Sequence, residues 1–226
     1  MDGVIDPVDR RTAADMVFER LHEEIESLAL LPGTKLSETD VARRFGVSRQ
    51  PVREAFNRLD QLDLLTIRPQ RATVVRGFSI AAIGHARFIR LAVELEVARR
   101  ACATGDADAL ATLEKSLEEQ RRAVEGDDQD LFHALDSAFH ESLCVIAGVP
   151  LAAETIHDCK RRIDRLCRLS LGREREADTL LRDHRALADA LQAGDPDRAT
   201  AVVREHLARL DGTIADIRRS HSEYFE

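Results

Sequence analysis

Asp136 and His140 stand four residues apart, in a stretch where Phe132, Leu143 and Ala147 supply an apolar helical face. Residues at i and i+4 of a helix point into the same space. Further along, His184 interrupts the stripe Leu180, Leu187, Leu191, and His206 interrupts the stripe Val203, Leu210, Ile214. Each is a polar group where the period calls for an apolar one, and burying it is costly unless it finds a partner. One carboxylate and three imidazoles around a single divalent cation would satisfy all four together. The pattern is also open to a plainer reading, in which each histidine is separately hydrogen-bonded inside the core. His133 and His157 could stand in if the helix faces fall differently. His22, His85 and His221 are less regular and read as solvated or capping residues.

The elements that must position these groups are helical. After a linker at Gly77-Phe78-Ser79, the periodicity predicts helices at about 79–104, 106–125, 128–147, 150–171, 175–193 and 195–219. Gly105-Asp106, Gly126-Asp127, Gly148-Val149-Pro150, Gly172 and Gly194-Asp195-Pro196 supply the breaks. No strand pattern follows Ser79. The expected fold class is mainly α, with residues 77–226 forming an all-α bundle.

Residues 1–76 read differently. Thr12 with Asp15 resembles a capping box, and Val17, Leu21, Ile25 and Leu28 form a helical stripe ended by Leu31-Pro32-Gly33. Ser37 then caps a short helix with Val41, Ala42 and Phe45 on its apolar side. Gly46 falls where the chain must reverse, a place that often needs positive φ. Ser48 is the expected cap of the next helix, with Pro51 in its first turn, where a missing amide costs nothing. Val52, Phe56 and Leu59 form its buried stripe, which leaves Arg49, Gln50, Arg53 and Asn57 on the opposite face. Such a helix suits the major groove, where base edges accept from arginine. Its plainer reading is a helical hairpin with a solvated basic face. Leu64–Arg68 and Ala72–Arg76 are β-prone runs about Pro69-Gln70-Arg71, which predicts a hairpin, or wing, with Arg71 near its tip.

Net charge is −8, which at first argues against nucleic acid. The distribution reverses that. Residues 41–76 hold eight arginines against three acids, a local balance of +5, and local field decides where a polyanion docks. Cys102, Cys144, Cys159 and Cys167 form no CxxC pair and read as small core residues in a reducing compartment. No apolar run approaches the length of a membrane span, so a soluble, cytoplasmic protein is expected.

Pro32-Gly33, Leu36, Glu38 and Gly46-Val47-Ser48-Arg49-Gln50-Pro51-Val52-Arg53-Glu54-Ala55 resemble the winged helix-turn-helix of GntR-family transcription regulators. A second resemblance is carried by Arg90-xxx-Glu94, Asp136-xx-Phe139-His140-xx-Leu143, Gly148-Val149-Pro150-Leu151, Asp183-His184-xx-Leu187 and His206-Leu207. These look like the FCD ligand-binding domain of the FadR subfamily. The resemblance implies a metal, zinc above nickel or manganese, held by Asp136, His140, His184 and His206. It also implies a small organic acid effector met by Arg90, whose plainer role is a surface salt bridge with Glu94. Arg161, Arg162 and Arg165 are further candidates for the pocket wall. An acyl-CoA effector is not expected, because relatives that bind one lack this histidine set. The chain departs from the family at Ala72 and at Leu62-Asp63, where glycine is usual, and at Thr39, where some relatives place arginine.

The expectation is a metabolite-responsive regulator, a repressor that binds palindromic operator DNA as a homodimer, with no membrane partner and no enzymatic activity. Ser48, Arg49, Gln50, Arg53, Asn57 and Arg71 are the DNA-facing set. The alternatives are a metal-dependent hydrolase with an appended DNA-binding module, and a metal site that only stiffens the bundle.

Overall fold

A computed structural model describes residues 11–68, 71–104, 106–169 and 176–226. The chain forms two compact units. One comprises residues up to Ser79 together with Glu223–Glu226; the other is Ile80–Ser222.

The first unit begins with α1 (Ala13–Glu26) behind the Thr12–Asp15 capping box. Val17, Leu21 and Ile25 are fully buried on it. The expected stripe runs one residue too far. Helix α1 stops at Glu26, and Leu28 turns left-handed at φ 64°. The chain is caught there by Leu28 N–H donating to the Ile25 carbonyl and Leu30 N–H to that of Glu24. Helices α2 (Glu38–Phe45) and α3 (Arg49–Gln61) follow. Gly46 joins them at φ 67°, a left-handed turn that a Cβ would strain. Ser37 accepts from the Asp40 amide as a cap. Ser48 occupies the corresponding place before α3, but its side chain makes no cap hydrogen bond. Ser48 is an exposed residue.

Three short antiparallel strands complete this unit: β1 (Lys35–Leu36), β2 (Leu65–Thr66) and β3 (Thr73–Val75), in the order β1-β3-β2. The expected hairpin is β2–β3, and its Pro69-Gln70 turn lies outside the described residues. Strand β1 was not anticipated, because two residues carry no readable alternation. Asp63 takes φ 61°. Aspartate is among the few side chains that visit this region readily, so the turn forms there without glycine.

Residues 223–226 belong to the same unit. Phe78 N–H donates to the Tyr224 carbonyl (2.7 Å) and Glu226 N–H to the Phe78 carbonyl (3.0 Å). The Phe78 and Phe225 rings are 5.7 Å apart, and Arg76 pairs with Glu226. A Cβ at Gly77 would come within 2.8 Å of the Tyr224 carbonyl oxygen, so the absence of a side chain is what lets the two backbones meet. Residues 77–79, read from sequence as linker, are therefore half of a backbone pairing.

The second unit is helical: α4 (Ile80–Thr104), α5 (Ala107–Glu125), α6 (Gln129–Ile146), α7 (Ala152–Cys167), α8 (Glu176–Gln192), α9 (Pro196–Ala208) and α10 (Leu210–Ser220). Asp106, Asp128 and Asp195 cap α5, α6 and α9 through their side chains. Helix α4 packs on α7 and α9, α5 on α6 and α8, and α8 on α9. The core gathers Val97, Leu117, Phe139, Leu143, Leu187 and Val203. The single helix expected over 195–219 is two, with Arg209 between α9 and α10. The expected breaks at Gly105 and Gly172 lie outside the described residues.

Candidate metal centre and nucleic-acid face

Helix α3 divides cleanly. Val52, Ala55, Phe56 and Leu59 are at most 1% exposed, while Arg49, Gln50, Arg53 and Asn57 are all exposed. Two of the arginines are held by one acid that the reading of the sequence gave no role. Glu38 of α2 accepts from Arg49 Nη2 (2.9 Å) and from Arg53 Nε and Nη2 (3.1 and 2.9 Å). Arg53 above all, with Arg49, draws the Glu38 carboxyl below its usual range. The guanidinium groups thus stand on the exposed face in a fixed posture, able to exchange one acid for a phosphate or base edge. Arg71 is exposed as well.

In the helical unit Asp136, His140, His184 and His206 come together. They are 5%, 3%, 1% and 8% exposed, and one ligand atom from each lies within 4.8 Å of all the others. The imidazole centroids are 5.1–5.4 Å apart. Asp136 and His140 share a face of α6, His184 comes from α8 and His206 from α9. His133 lines a neighbouring cavity, and His157 is exposed.

Each imidazole is oriented from behind. His184 Nδ1 donates to the Gln120 side-chain oxygen at 2.7 Å, and the Gln120 amide in turn donates to Ser116 Oγ. His206 Nδ1 is 3.3 Å from Asp183 Oδ2. His140 Nδ1 is 3.0 Å from Glu94 Oε2. Nε2 of His184 and both ring nitrogens of His140 are buried without a hydrogen-bond partner, and His184 Nε2 lies 3.4 Å from Asp136 Oδ1. In His184, an outer acceptor on Nδ1 and a bare Nε2 facing Asp136 is how imidazoles are prepared for a cation. Around a tetrahedral ion with bonds of about 2.1 Å the ligand atoms lie about 3.4 Å apart, so this donor set suits a divalent ion once its atoms draw together from separations of up to 4.8 Å.

Electrostatics favour the same occupant. Burial works against the charged form of Asp136, but the Lys160 ammonium beside it, foremost among its neighbours, overcomes it and holds the carboxyl well below its usual range. Burial pushes His184 well below its ordinary value, so it stays neutral and able to donate a lone pair. Lys160 is 6% exposed, with Nζ 3.2 Å from Asp136 Oδ2 and 2.6 Å from Asp164 Oδ2. Burial lowers its pKa, but the two carboxylates more than reverse that and keep it charged. Asp136 Oδ2 is therefore taken by lysine while Oδ1 faces the histidines. Arg90 is paired with Glu94 (2.5 Å), as one reading of the sequence had it, but the pair is buried (4% each) rather than on the surface. Arg90 also lines a cavity of about 200 Å³ beside the cluster, together with Asp136, Lys160, Asp164 and His206. Arg161, Arg162 and Arg165 are not in that wall.

Residues 13–75 match the gntR family of bacterial regulatory proteins, and residues 86–209 match the FCD domain. The chain belongs to the GntR family. HTH-type transcriptional repressor RspR of Escherichia coli K12 is 38% identical over 92% of both chains. An HTH-type regulator from an unstable DNA locus of Streptomyces ambofaciens is 33% identical over 95% of this chain and 90% of its own. The solved structure of Escherichia coli McbR/YncC shares the fold, with TM-score 0.67 at 22% identity over 93% of this chain and 99% of that one. This GntR protein is thus a transcription regulator with a DNA-binding domain and an FCD domain, and its relatives are regulators rather than enzymes. None of its described helices is long and apolar enough to cross a membrane.

Several parts of the regulator's site had no role in the reading of the sequence, although Asp183 stood in the motif quoted for the FCD resemblance. Gln120 is wholly buried on α5, a helix whose pattern shows nothing but surface charge and a leucine stripe. Asp183 is also tied to Arg209 by two bonds of 2.7 and 2.9 Å. Lys160 was detectable only as a polar intrusion one turn after Ile156.

Proposed function

We propose that this regulator is a FadR-type repressor whose FCD domain holds a divalent metal through Asp136, His140, His184 and His206. A small carboxylate beside that site changes its affinity for operator DNA. The observation that supports it best is the set of four buried donors within 4.8 Å, with three imidazole nitrogens, two of His140 and one of His184, buried without a hydrogen-bond partner. Zinc suits three imidazoles and a carboxylate, and nickel or manganese can take the same donors. A bound divalent ion would supply positive charge and an open position for a carboxylate oxygen. Arg90, on the cavity wall, would meet that carboxylate's other oxygen.

Because the ligands come from α6, α8 and α9, filling the site ties three helices into one arrangement. Such linkage couples effector to DNA by about 1–3 kcal/mol in typical cases. On the DNA side, Arg49, Gln50, Arg53 and Asn57 would enter the major groove, Ser48 and the start of α3 would meet phosphate, and Arg71 would reach backbone or minor groove. One such helix reads only a few base pairs, so the protein would act as a homodimer on a palindrome. The repressor reading draws on the name carried by the relative from Escherichia coli.

The test joins elemental analysis to DNA titration. Parent protein purified in metal-replete buffer should carry about one ion per chain, and His206→Ala should carry little. Operator affinity of the parent, but not of His206→Ala, should change with a small carboxylic acid. A parent without metal, or a mutant with full metal and full response, refutes the assignment. Light scattering that finds a monomer binding operator tightly refutes the dimer.

A further inference from the structure

We propose that Lys160 is a second acid-binding residue of the cavity beside the cluster, and that it receives the acid's carboxylate in exchange for Asp164. The inference rests on the metal-and-effector reading and assigns it one more side chain. Arg90 and Lys160 both line the cavity, and each already has an acid beside it. The two acids differ in where they can go. Glu94 is buried, 2.5 Å from Arg90 Nε and 3.0 Å from His140 Nδ1. Parted from Arg90, it would be a buried charge without its cation, and breaking such a pair is costly. Arg90 therefore meets a ligand from a fixed position. Asp164 has a side chain 40% exposed. It can pass into water when its partner is taken, and ion pairs open to solvent hold weakly.

Lys160 has the means to make the exchange. Its ammonium carries three donors at the end of a flexible stem. Nζ stands 3.2 Å from Asp136 Oδ2 and 2.6 Å from Asp164 Oδ2. The lysine is itself buried, so on losing Asp164 it needs another anion rather than water. Lys160, Asp136 and Asp164 share one stretch of the cavity wall, where an entering carboxylate would find that ammonium. Asp136 shares its charge once it ligates an ion and then attracts Lys160 less, which leaves the ammonium readier for the acid. Asp164 thus fills the anion's place while the acid is absent.

The experiment is calorimetric titration of the zinc-loaded full chain with acetate, lactate and malate, carried forward with whichever binds the parent most tightly. Lys160→Gln should weaken that acid by about tenfold or more, the worth of a hydrogen bond to a charged group, while zinc content stays that of the parent. Asp164→Asn should tighten it by about three- to tenfold, because the competitor for Lys160 is gone. The double variant separates exchange from simple repulsion. If Asp164 acts through Lys160, Asp164→Asn adds nothing in the Lys160→Gln background; a field effect of the aspartate alone would persist there. Thermal melts of the zinc-loaded variants confirm that they are folded. Where Lys160→Gln does not fold, Asp164→Asn decides alone, and unchanged or weaker binding overturns the exchange. Unchanged binding or lost zinc in folded Lys160→Gln, or equal tightening by Asp164→Asn in both backgrounds, also overturns it and leaves the effector reading standing. No binding of any of the three acids to the parent overturns both.

Discussion

Helix α3 and the centre of the helical unit solve opposite problems. On α3 the apolar stripe holds the helix down and the polar residues stand on its other side, in water. Packing and recognition are separate faces of one element. In the helical unit the polar residues take the places of apolar ones, and Asp136, His140 and His184 are no more than 5% exposed. There the groups that would bind are also the groups that pack. Recognition residues on α3 can therefore change without disturbing the fold, whereas each cluster residue is answerable to both.

The strongest test of that difference is His184→Ala. The change leaves a cavity, deprives buried Gln120 of its partner and removes a ligand. We expect a loss of about 2–4 kcal/mol in urea unfolding even without metal, together with weakened metal retention. A loss within the noise, beside full metal content, would make the cluster no more structural than a surface site. Metal removal comes next. A chelator should lower stability by about 2.7 kcal/mol if the ion was present at a hundred times its Kd, with the change followed by hydrogen exchange in α6, α8 and α9 and absent from α3. Acid acts in the same sense. Burial depresses His184 below 6.5, so the unfolded chain takes up the proton first, and stability present above that pH declines as the pH falls.

Smaller effects belong to the other face. Arg49→Ala and Arg53→Ala should each cost about 1–3 kcal/mol of operator affinity if the contact is bidentate to a base. The melting temperature should hardly move, because exposed pairs such as those with Glu38 contribute about 0–1 kcal/mol. A fall in melting temperature comparable to that of His184→Ala would erase the contrast between the regions. Arg71→Ala should do least, weakening operator and random DNA alike and reducing the salt slope by about 1, as for a lost phosphate contact.

The two regions were also unequally legible. The arrangement of α2 and α3 could be read because every feature of it is local: a cap at Ser37, a reversal at Gly46, and apolar residues every three or four positions. The four-residue cluster could be read because histidine and aspartate in an apolar stripe conflict with their surroundings. Its supports could not. Gln120 looks like an ordinary surface residue of a long helix and Glu94 like half of a surface ion pair, and only the packing of α5 on α8 and α4 on α6 turns them inward. Lys160 carries no periodic signal apart from its own intrusion. The break at Arg209 has no glycine or proline to mark it, and β1 is too short for alternation to register.

The pairing of Phe78 with residues 224–226 makes the DNA-binding unit discontinuous in sequence, with the 143 residues from Ile80 to Ser222 inserted into it. This orders events on the ribosome. The winged helix has its own core from Val17 to Val75 and can form as soon as it emerges. Its remaining backbone partner is not made until the whole insertion has been translated, roughly 10–30 seconds later at ordinary elongation rates. Gly77 meanwhile presents an open edge. For that interval the nascent chain is a regulator with a folded DNA-binding head and an unfinished seam.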